Sequence, residues 1–443
     1  MESSSSPQAR GVSALGSLVV RKREELRRDG FTIVQEDEAV EILGAHNCMS
    51  TQQWQDMLEH LMALSREAGC GDLLADPGAW NPMVTSQGFA PHMLDPPLRQ
   101  FQDHHCFDML LDILGFEGQV QEWYVKPDRW LCMGRNFVNK KGVVETLRGS
   151  LPHMDTNPWT YNDYERRLTP EEIDHPKTAE GMRNRLIMYH RPFQILCSLT
   201  DCPGGAEYGG FGACPGSHYH IEAISQLPAF GLNGRWGHLC RFYRKPTSKF
   251  LREAEEQEPG ITQRVHKFID DILDTMVYPP IPARSILLWN RDMLHSGPRG
   301  NVGSTQVRVY VGRLPRGIPR NEQYVWEVQR AELLKGRKVT GVAQERGSEV
   351  HVLESMLKAL TECQLQRLGL SEKMPPWVSC KVEPRQVGVS SSPGGSIPSA
   401  GAAERSTTMD RKRAASTAVV GEGSSVHSEE PDHKRGIIMK TEK

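Results

Sequence analysis

Hydrophobic positions recur along this chain with two different periods, and the change from one to the other divides it. From Trp54 to about Ala68, residues Trp54, Met57, Leu58, Leu61 and Met62 return at three- and four-residue steps, which places them on one face of a helix. Gly69 and Gly71 end that pattern. Upstream, Arg21–Gly30 is charged and helix-prone, and Phe31–Val34 reads as a strand. A third helix is expected around Phe107–Leu114, where Met109, Leu110 and Ile113 pack together before Gly115.

The texture then changes. Between Val120 and Leu314 the apolar residues come in short runs broken by Gly, Pro, Asn and Asp, the pattern of a β-rich core. Strands are expected at Val120–Val125, Trp130–Val138, Leu186–Tyr189, Gln194–Thr200, Ser285–Trp289 and Gln306–Val311. Tyr219–Pro259 is charged and punctuated by Pro and Gly, and reads as an insertion. Helices are expected at Gln263–Met276 and at His351–Leu368, where Val352, Leu353, Met356, Leu357 and Leu360 share a face. No Phe, Trp or Tyr follows Trp377. Residues 381–443 therefore lack the apolar surface to offset their ordering entropy, and they and residues 1–20 are expected to be disordered around one domain, 21–380, with its core at about 120–315.

Charge narrows the partners. Lys and Arg number 53 against 55 Asp and Glu, so no strong basic excess favours long nucleic acid. Ten cysteines occur without a Cys-x-x-Cys pair, which suits reduced packing thiols. Apolar runs such as Ser285–Trp289 are strand-sized, well short of the roughly 20 residues a bilayer demands. The polar start Met1–Pro7 does not resemble a signal peptide, and a cytoplasmic location is the expectation. Arg411-Lys-Arg413 in the tail matches either a nuclear-import signal or a solvated basic cluster, the second being commoner for so short a run.

Candidate chemistry sits in Leu151-Pro-His-Met-Asp-Thr-Asn-Pro-Trp159. In an extended segment residues i and i+2 face the same way, so His153 and Asp155 can hold one ion while Met154 turns aside. The spacing alone is weak, since His220-Ile-Glu222 and His427-Ser-Glu429 repeat it. A second half strengthens it. The apolar run Ser285–Trp289 leads to Asp292-Met-Leu-His295, a Gly-rich turn through Gly303, and an alternating strand in which Gln306, Arg308 and Tyr310 share one face and Val307, Val309 and Val311 the other. Two imidazoles and a carboxylate leave three positions open on an octahedral ion, the set used by non-haem Fe(II) enzymes. A hairpin through that turn is expected to return Arg308 beside His295, where its guanidinium would grip a carboxylate. Taken singly, each residue has an ordinary explanation: a turn histidine, a capping Asp155, an Arg308 paired with an acid.

With these residues in hand the chain resembles the phytanoyl-CoA dioxygenase-like branch of the Fe(II)- and 2-oxoglutarate-dependent oxygenases. The likeness spans about residues 20–315. It rests on His153-Met-Asp155, on Ser198-Leu-Thr-Asp201 leading to Gly209-Gly-Phe-Gly-Ala-Cys-Pro-Gly-Ser-His218, on Leu288–Pro298, and on Arg308. It implies an α+β chain with a mostly β core, a double-stranded β-helix (jelly roll, cupin-like) flanked by helices. It further implies Fe(II) on His153, Asp155 and His295, with 2-oxoglutarate and dioxygen as co-substrates. Arg308 would bind the 2-oxoglutarate carboxylate; Ser296, next to the ligand, is expected to help, and Asn136, Trp159 and Tyr161, which precede or follow the dyad, are expected to line the substrate pocket. His218 is expected to be structural. Asp155 favours hydroxylation over halogenation, because related halogenases carry a small residue there. The interval from Asp155 to His295 is longer than the family's, which fits the insertion, and Arg308 stands slightly farther past its histidine. The expected reaction is hydroxylation of a C–H bond in a small-molecule or lipid-type substrate, releasing succinate and carbon dioxide. Its rivals are a cupin-like metal enzyme of another class and an inactive binding protein on the same scaffold.

Overall fold

The computed structural model describes residues 8–76, 80–81, 83–85, 87–90, 95–119, 121–139, 141–159, 190–230, 240–297, 305–330, 333 and 360–371. The chain divides into two units, 1–376 and 377–443, and every described residue belongs to the first.

Helix α1, Gln8–Asp29, runs into strand β1, Phe31–Val34. It begins well before Arg21, so the helix-prone stretch extends back through Val20, within the segment expected to lack structure. Lys22 Nζ donates to Ile33 O at 2.6 Å and Arg23 Nε to Ile113 O at 2.7 Å, which clamps α1 over the edge of the sheet. Gly30 makes the turn between them with φ +83°, and a Cβ there would lie 2.6 Å from His218 Nδ1. Two short helices escaped the periodicity: α2, Glu36–Leu43, and α4, Pro96–Gln102. Between them α3, Thr51–Glu67, starts on a capping box in which Gln53 N donates to Ser50 Oγ and Ser50 N donates to Gln53 Oε1. The third expected helix is α5, Cys106–Leu110, continued as a wider turn over Leu111–Gly115.

The short strands β2 (Trp80–Asn81) and β3 (Phe89–Ala90) precede β4 (Trp123–Lys126), β5 (Trp130–Met133) and β6 (Asn136–Val138). The single strand expected over Trp130–Val138 is thus two, and they belong to different sheets. Next come β7 (Val144–Thr146), β8 (Ser150–Met154), β9 (Phe193–Ser198), β10 (Gly212–Ala213) and β11 (Cys240–Arg241). β12 (Ser285–Asn290), β13 (His295–Gly297) and β14 (Gln306–Pro315) complete the order. The large sheet runs β1–β12–β9–β14–β5–β3, with β4 also on β14, and all its pairs are antiparallel. A second antiparallel sheet runs β10–β13–β8–β11, and a third β2–β6–β7. The expected strand Leu186–Tyr189, the turn residues 298–304 and most of His351–Leu368 lie outside the described residues; of the last, Glu362–Arg367 is helical.

Register sorts the large sheet into two faces. Val309, Cys197, Ile286 and Val34 belong to one core that α3, α4 and α5 cover through Trp54, Leu61, Leu98 and Phe107. On the reverse face Leu131, Leu196 and Leu287 meet Phe211, Ala213 and Met293 of the second sheet's side. The two sheets therefore face each other across a layer of apolar side chains, each worth about 1.5–3 kcal/mol when fully buried. A separate cluster, with Tyr124, Leu314, Tyr324 and Leu368, seats the described C-terminal helix.

Two expectations change here. The hairpin joining His295 to Arg308 does not form, because β13 pairs with β8 and β10 while β14 pairs with β4, β5 and β9. β13 and β14 thus lie in different sheets, and His295 and Arg308 stand on separate sheets rather than on the two arms of one hairpin. Cys240–Arg241, inside the stretch read as an insertion, forms β11 on the edge of β8. Phe242, Phe230 and Leu251 then join Val265 and Ile269 of helix Ile261–Leu273 in a core on the outer side of the second sheet, with Met154 and Leu294. Phe242→Ala should therefore cost about 3–5 kcal/mol, read as a lower urea midpoint. A loss under about 0.5 kcal/mol, the usual size for exposed positions, would show the segment to be unpacked.

Candidate metal centre

The site begins with strand alternation. On β8, Met154 is fully buried in the outer core, so His153 faces the opposite way, into the interior. β13 pairs antiparallel with β8 and sets His295 directly across from His153. Opposite residues share a face, and the two rings stand 4.4 Å apart between centroids. Asp155 follows β8 immediately, and its two oxygens reach one imidazole each: Oδ1 is 3.6 Å from His153 Nε2, and Oδ2 is 3.6 Å from His295 Nε2. The three donor atoms lie within 4.8 Å of one another. Ligand atoms about 2.1 Å from a shared ion sit about 3–3.6 Å apart at angles of 90–120°. These spacings suit an ion better than direct hydrogen bonds.

The neighbours orient the donors. His153 Nδ1 lies 2.6 Å from Leu151 O, and His295 Nδ1 3.0 Å from Met293 O. A carbonyl oxygen only accepts, so each Nδ1 carries the proton and each Nε2 lone pair is free for a metal. Burial, reinforced by the neighbouring His153, pushes His295 down to about 4, so it is neutral near pH 7 and ready to ligate. Ser217, from the Pro215-Gly-Ser-His218 turn, accepts from Leu294 N at 2.8 Å and fixes the approach to His295. His218 is a packing residue, its Nε2 3.0 Å from Arg27 O at the end of α1.

Arg308 lies on the interior face of β14, across from Ser198 and Leu131. It is 4% exposed, and no acid pairs with it among the described residues. Its Nη2 donates to Gly209 O at 3.4 Å and to the Gln306 side chain, while its buried Nε has no hydrogen-bond partner. A buried guanidinium with an unmatched nitrogen fits the carboxylate of a bound acid.

Other expected residues stand elsewhere. Ser296, one step along β13, turns to the other face, where its hydroxyl meets Met276 Sδ at 3.4 Å. Trp159 belongs to the outer core: its Nε1 donates to Leu227 O at 2.8 Å and its ring packs edge-on to Phe230. Asn136 sits in the third sheet, opposite Thr146. Tyr161 lies outside the described residues. Aromatic residues near the triad that the sequence did not single out are Phe211, Trp289 and Tyr310. The first two rings stand 6.0 and 5.6 Å from His295, and Tyr310 stands 6.2 Å from Trp289. Tyr310 alternates with Arg308, so its position was implicit in the strand pattern.

No protein-family model matches the chain, and no curated protein matches it either. Among solved structures it is similar to GlcNAc Inducible Gene 2 (GIG2) from Candida albicans, at 11% identity and TM-score 0.46, over 83% of this chain and 87% of that one. A hypothetical protein from Escherichia coli is 15% identical with TM-score 0.44, over 81% and 84%. EctD from S. alaskensis, solved with 2-oxoglutarate and 5-hydroxyectoine, is 15% identical with TM-score 0.34, over 66% and 75%. Likenesses this remote do not assign an activity, which has to be argued from the side chains.

His295→Ala or Asp155→Ala should weaken Mn(II) binding by on the order of 100-fold or more, whereas His218→Ala should leave it within about twofold. Calorimetric titration checks both, and equal losses in all three would argue against the triad. Acid should act on the metal-free fold as well. His104, His190 and His295 are each held at about 4, chiefly by burial. Unfolded imidazoles titrate near about 6.5, so between these values the unfolded chain binds more protons. Stability is then constant above about pH 6.5 and falls as pH drops towards 4. A urea midpoint unchanged from pH 6.5 to 5 would contradict this.

Proposed function

We propose that this protein is an Fe(II)- and 2-oxoglutarate-dependent dioxygenase that hydroxylates a C–H bond of a small-molecule or lipid-type substrate. The supporting observation is the convergence of His153, Asp155 and His295, together with an Arg308 on the facing sheet that is buried with no acid beside it among the described residues. We read the two facing antiparallel sheets as a double-stranded β-helix, and the chain as a relative of the phytanoyl-CoA dioxygenase-like oxygenases.

The residues fit the group they would hold. Two Nε2 lone pairs and one carboxylate give a neutral-nitrogen and hard-oxygen set that suits Fe(II) and leaves three positions open. With 2-oxoglutarate and dioxygen, ferrous iron supplies oxidative decarboxylation and C–H hydroxylation, yielding succinate and carbon dioxide. The protein contributes placement. His153 and His295 keep their tautomers through Leu151 O and Met293 O. Arg308 holds the far carboxylate of the co-substrate in a dry interior, where a charge-assisted pair is strongest. Trp289 and Phe211 limit water beside His295. The carboxylate at Asp155 occupies the place that a halide would need, which favours hydroxylation.

Anaerobic addition of Fe(II) and 2-oxoglutarate should produce the weak visible charge-transfer band of the chelate. Arg308→Met should retain Mn(II) but bind 2-oxoglutarate about 30- to 5,000-fold more weakly, the range for removing one partner of a buried charged pair. A folded protein that binds the metal and shows no band at saturating 2-oxoglutarate would overturn the assignment.

A further inference from the structure

The interior face continues past the metal ligands as an unbroken aromatic wall. From His295 it passes to Trp289 at 5.6 Å, from Trp289 to Tyr310 at 6.2 Å, and from Tyr310 to Phe89 at 6.2 Å. The guanidinium carbon of Arg129 lies 3.7 Å above the Phe89 ring. Arg129 shares the inward face of β5's approach with Leu131, and its carbonyl accepts from Tyr310 N at 3.0 Å. Its side chain is only 13% exposed, yet its Nε and Nη1 have no hydrogen-bond acceptor. The nearest acid is Asp128, 3.9 Å from Nε, and that carboxylate also faces Lys126 at 3.5 Å and Arg191 at 3.7 Å. Asp128 thus faces Lys126, Arg129 and Arg191 in a nearly dry place, and Arg191 also donates to Gln194 Oε1 at 2.6 Å. The Tyr310 hydroxyl has no hydrogen bond among the described residues, and besides burial Arg129, Asp155, Asp128 and Arg308 all act on it.

We propose that the primary substrate is an acid with an apolar body, and that Arg129 and the Tyr310 hydroxyl bind its anionic head, a carboxylate or a phosphate monoester. This rests on the oxygenase reading above. The head supplies the acceptor that Arg129 lacks, and the apolar body lies along Phe89, Tyr310 and Trp289 towards the metal ligands. Stacking on Phe89 keeps the guanidinium plane fixed, so little side-chain freedom is lost when an anion arrives. Arg129 is separate from Arg308: it stands two residues before Leu131, the residue across from Arg308.

Calorimetry on the full chain, with and without Mn(II) and saturating 2-oxoglutarate, tests this with octanoate, octyl phosphate, octanol and octylamine. The expected result is about tenfold tighter binding of at least one anion than of octanol, undiminished by 2-oxoglutarate, with no binding of the amine. The better anion names the head. Arg129→Met should erase the preference while octanol still binds, and Arg129→Lys should restore part of it. If Arg129→Met does not fold, Tyr310→Phe should reduce the preference about threefold. A preference that survives both variants overturns the proposal. So does one that 2-oxoglutarate abolishes and Arg308→Met removes, because the probe then sits in the co-substrate's place and the oxygenase reading stands. Absence of any 2-oxoglutarate binding would instead count against that earlier reading.

Discussion

The cross-strand register that sets His295 opposite His153 governs everything else in the site. Side chains alternate along a strand, so a slip of one residue on β13 would turn His295 outwards and bring Ser296 in. Several contacts oppose that slip. Ala213 pairs with His295 and Gly212 with Ser296 on the other side of β13, and Gly297 N donates to Ser150 Oγ at 2.6 Å. Gly212 is needed there: a Cβ would lie 2.5 Å from Ser296 Oγ and 2.7 Å from the Tyr278 ring. The irregularity between His295 and Gly297 follows directly, so pairing is regular where the ligand is held and is released just beyond it.

The same alternation separates chemistry from stability. On the large sheet one face is sealed by helices and holds Val307, Val309 and Cys197, while the reverse carries Gln306, Arg308 and Tyr310. On the second sheet Met154 and Leu294 are buried in the outer core and His153 and His295 face in. Polar groups can then be gathered between two sheets without weakening the cores behind them. This arrangement also makes Arg308 tolerable. A buried, unpaired guanidinium is costly, and burial already lowers its affinity for its proton. Rigid strands on both sides keep it in place for a ligand that would neutralise it.

Much of this was legible because strand alternation is local. His153 and Asp155, the faces of β14, and the helix α3 with its glycine stop all follow from neighbours within a few residues. What the sequence did not yield depends on contacts between distant segments. Nothing local shows that the chain leaves one sheet after His295 and joins the other before Arg308, so the hairpin reading was natural and failed. Cys240 and Arg241 gave no strand signal, since two residues carry no period, and their pairing comes from the exposed edge of β8. Trp159 and Ser296 were placed by closeness in sequence to the ligands. Each lies on the outward side, where a neighbour in sequence is not a neighbour in the pocket. Arg129 escaped notice for the converse reason: far from the dyad in sequence, it enters the interior through Phe89 and Tyr310.

The charge distribution of the interior orders these observations. Asp155 is the acid of the metal triad, and Asp128 is already claimed by Lys126, Arg129 and Arg191, with burial opposing its charge and those cations outweighing it. Arg308 adds a further positive charge on the same face, with no acid beside it among the described residues. Side chains of such low exposure cannot turn to solvent to find another partner. A dianionic co-substrate chelating through one end would bring negative charge to the metal and to Arg308, while Nε and Nη1 of Arg129 would still lack an acceptor. A second anion at the far end of the aromatic wall would supply that acceptor, which is why Arg129, fixed over Phe89, favours an acidic substrate over a neutral one.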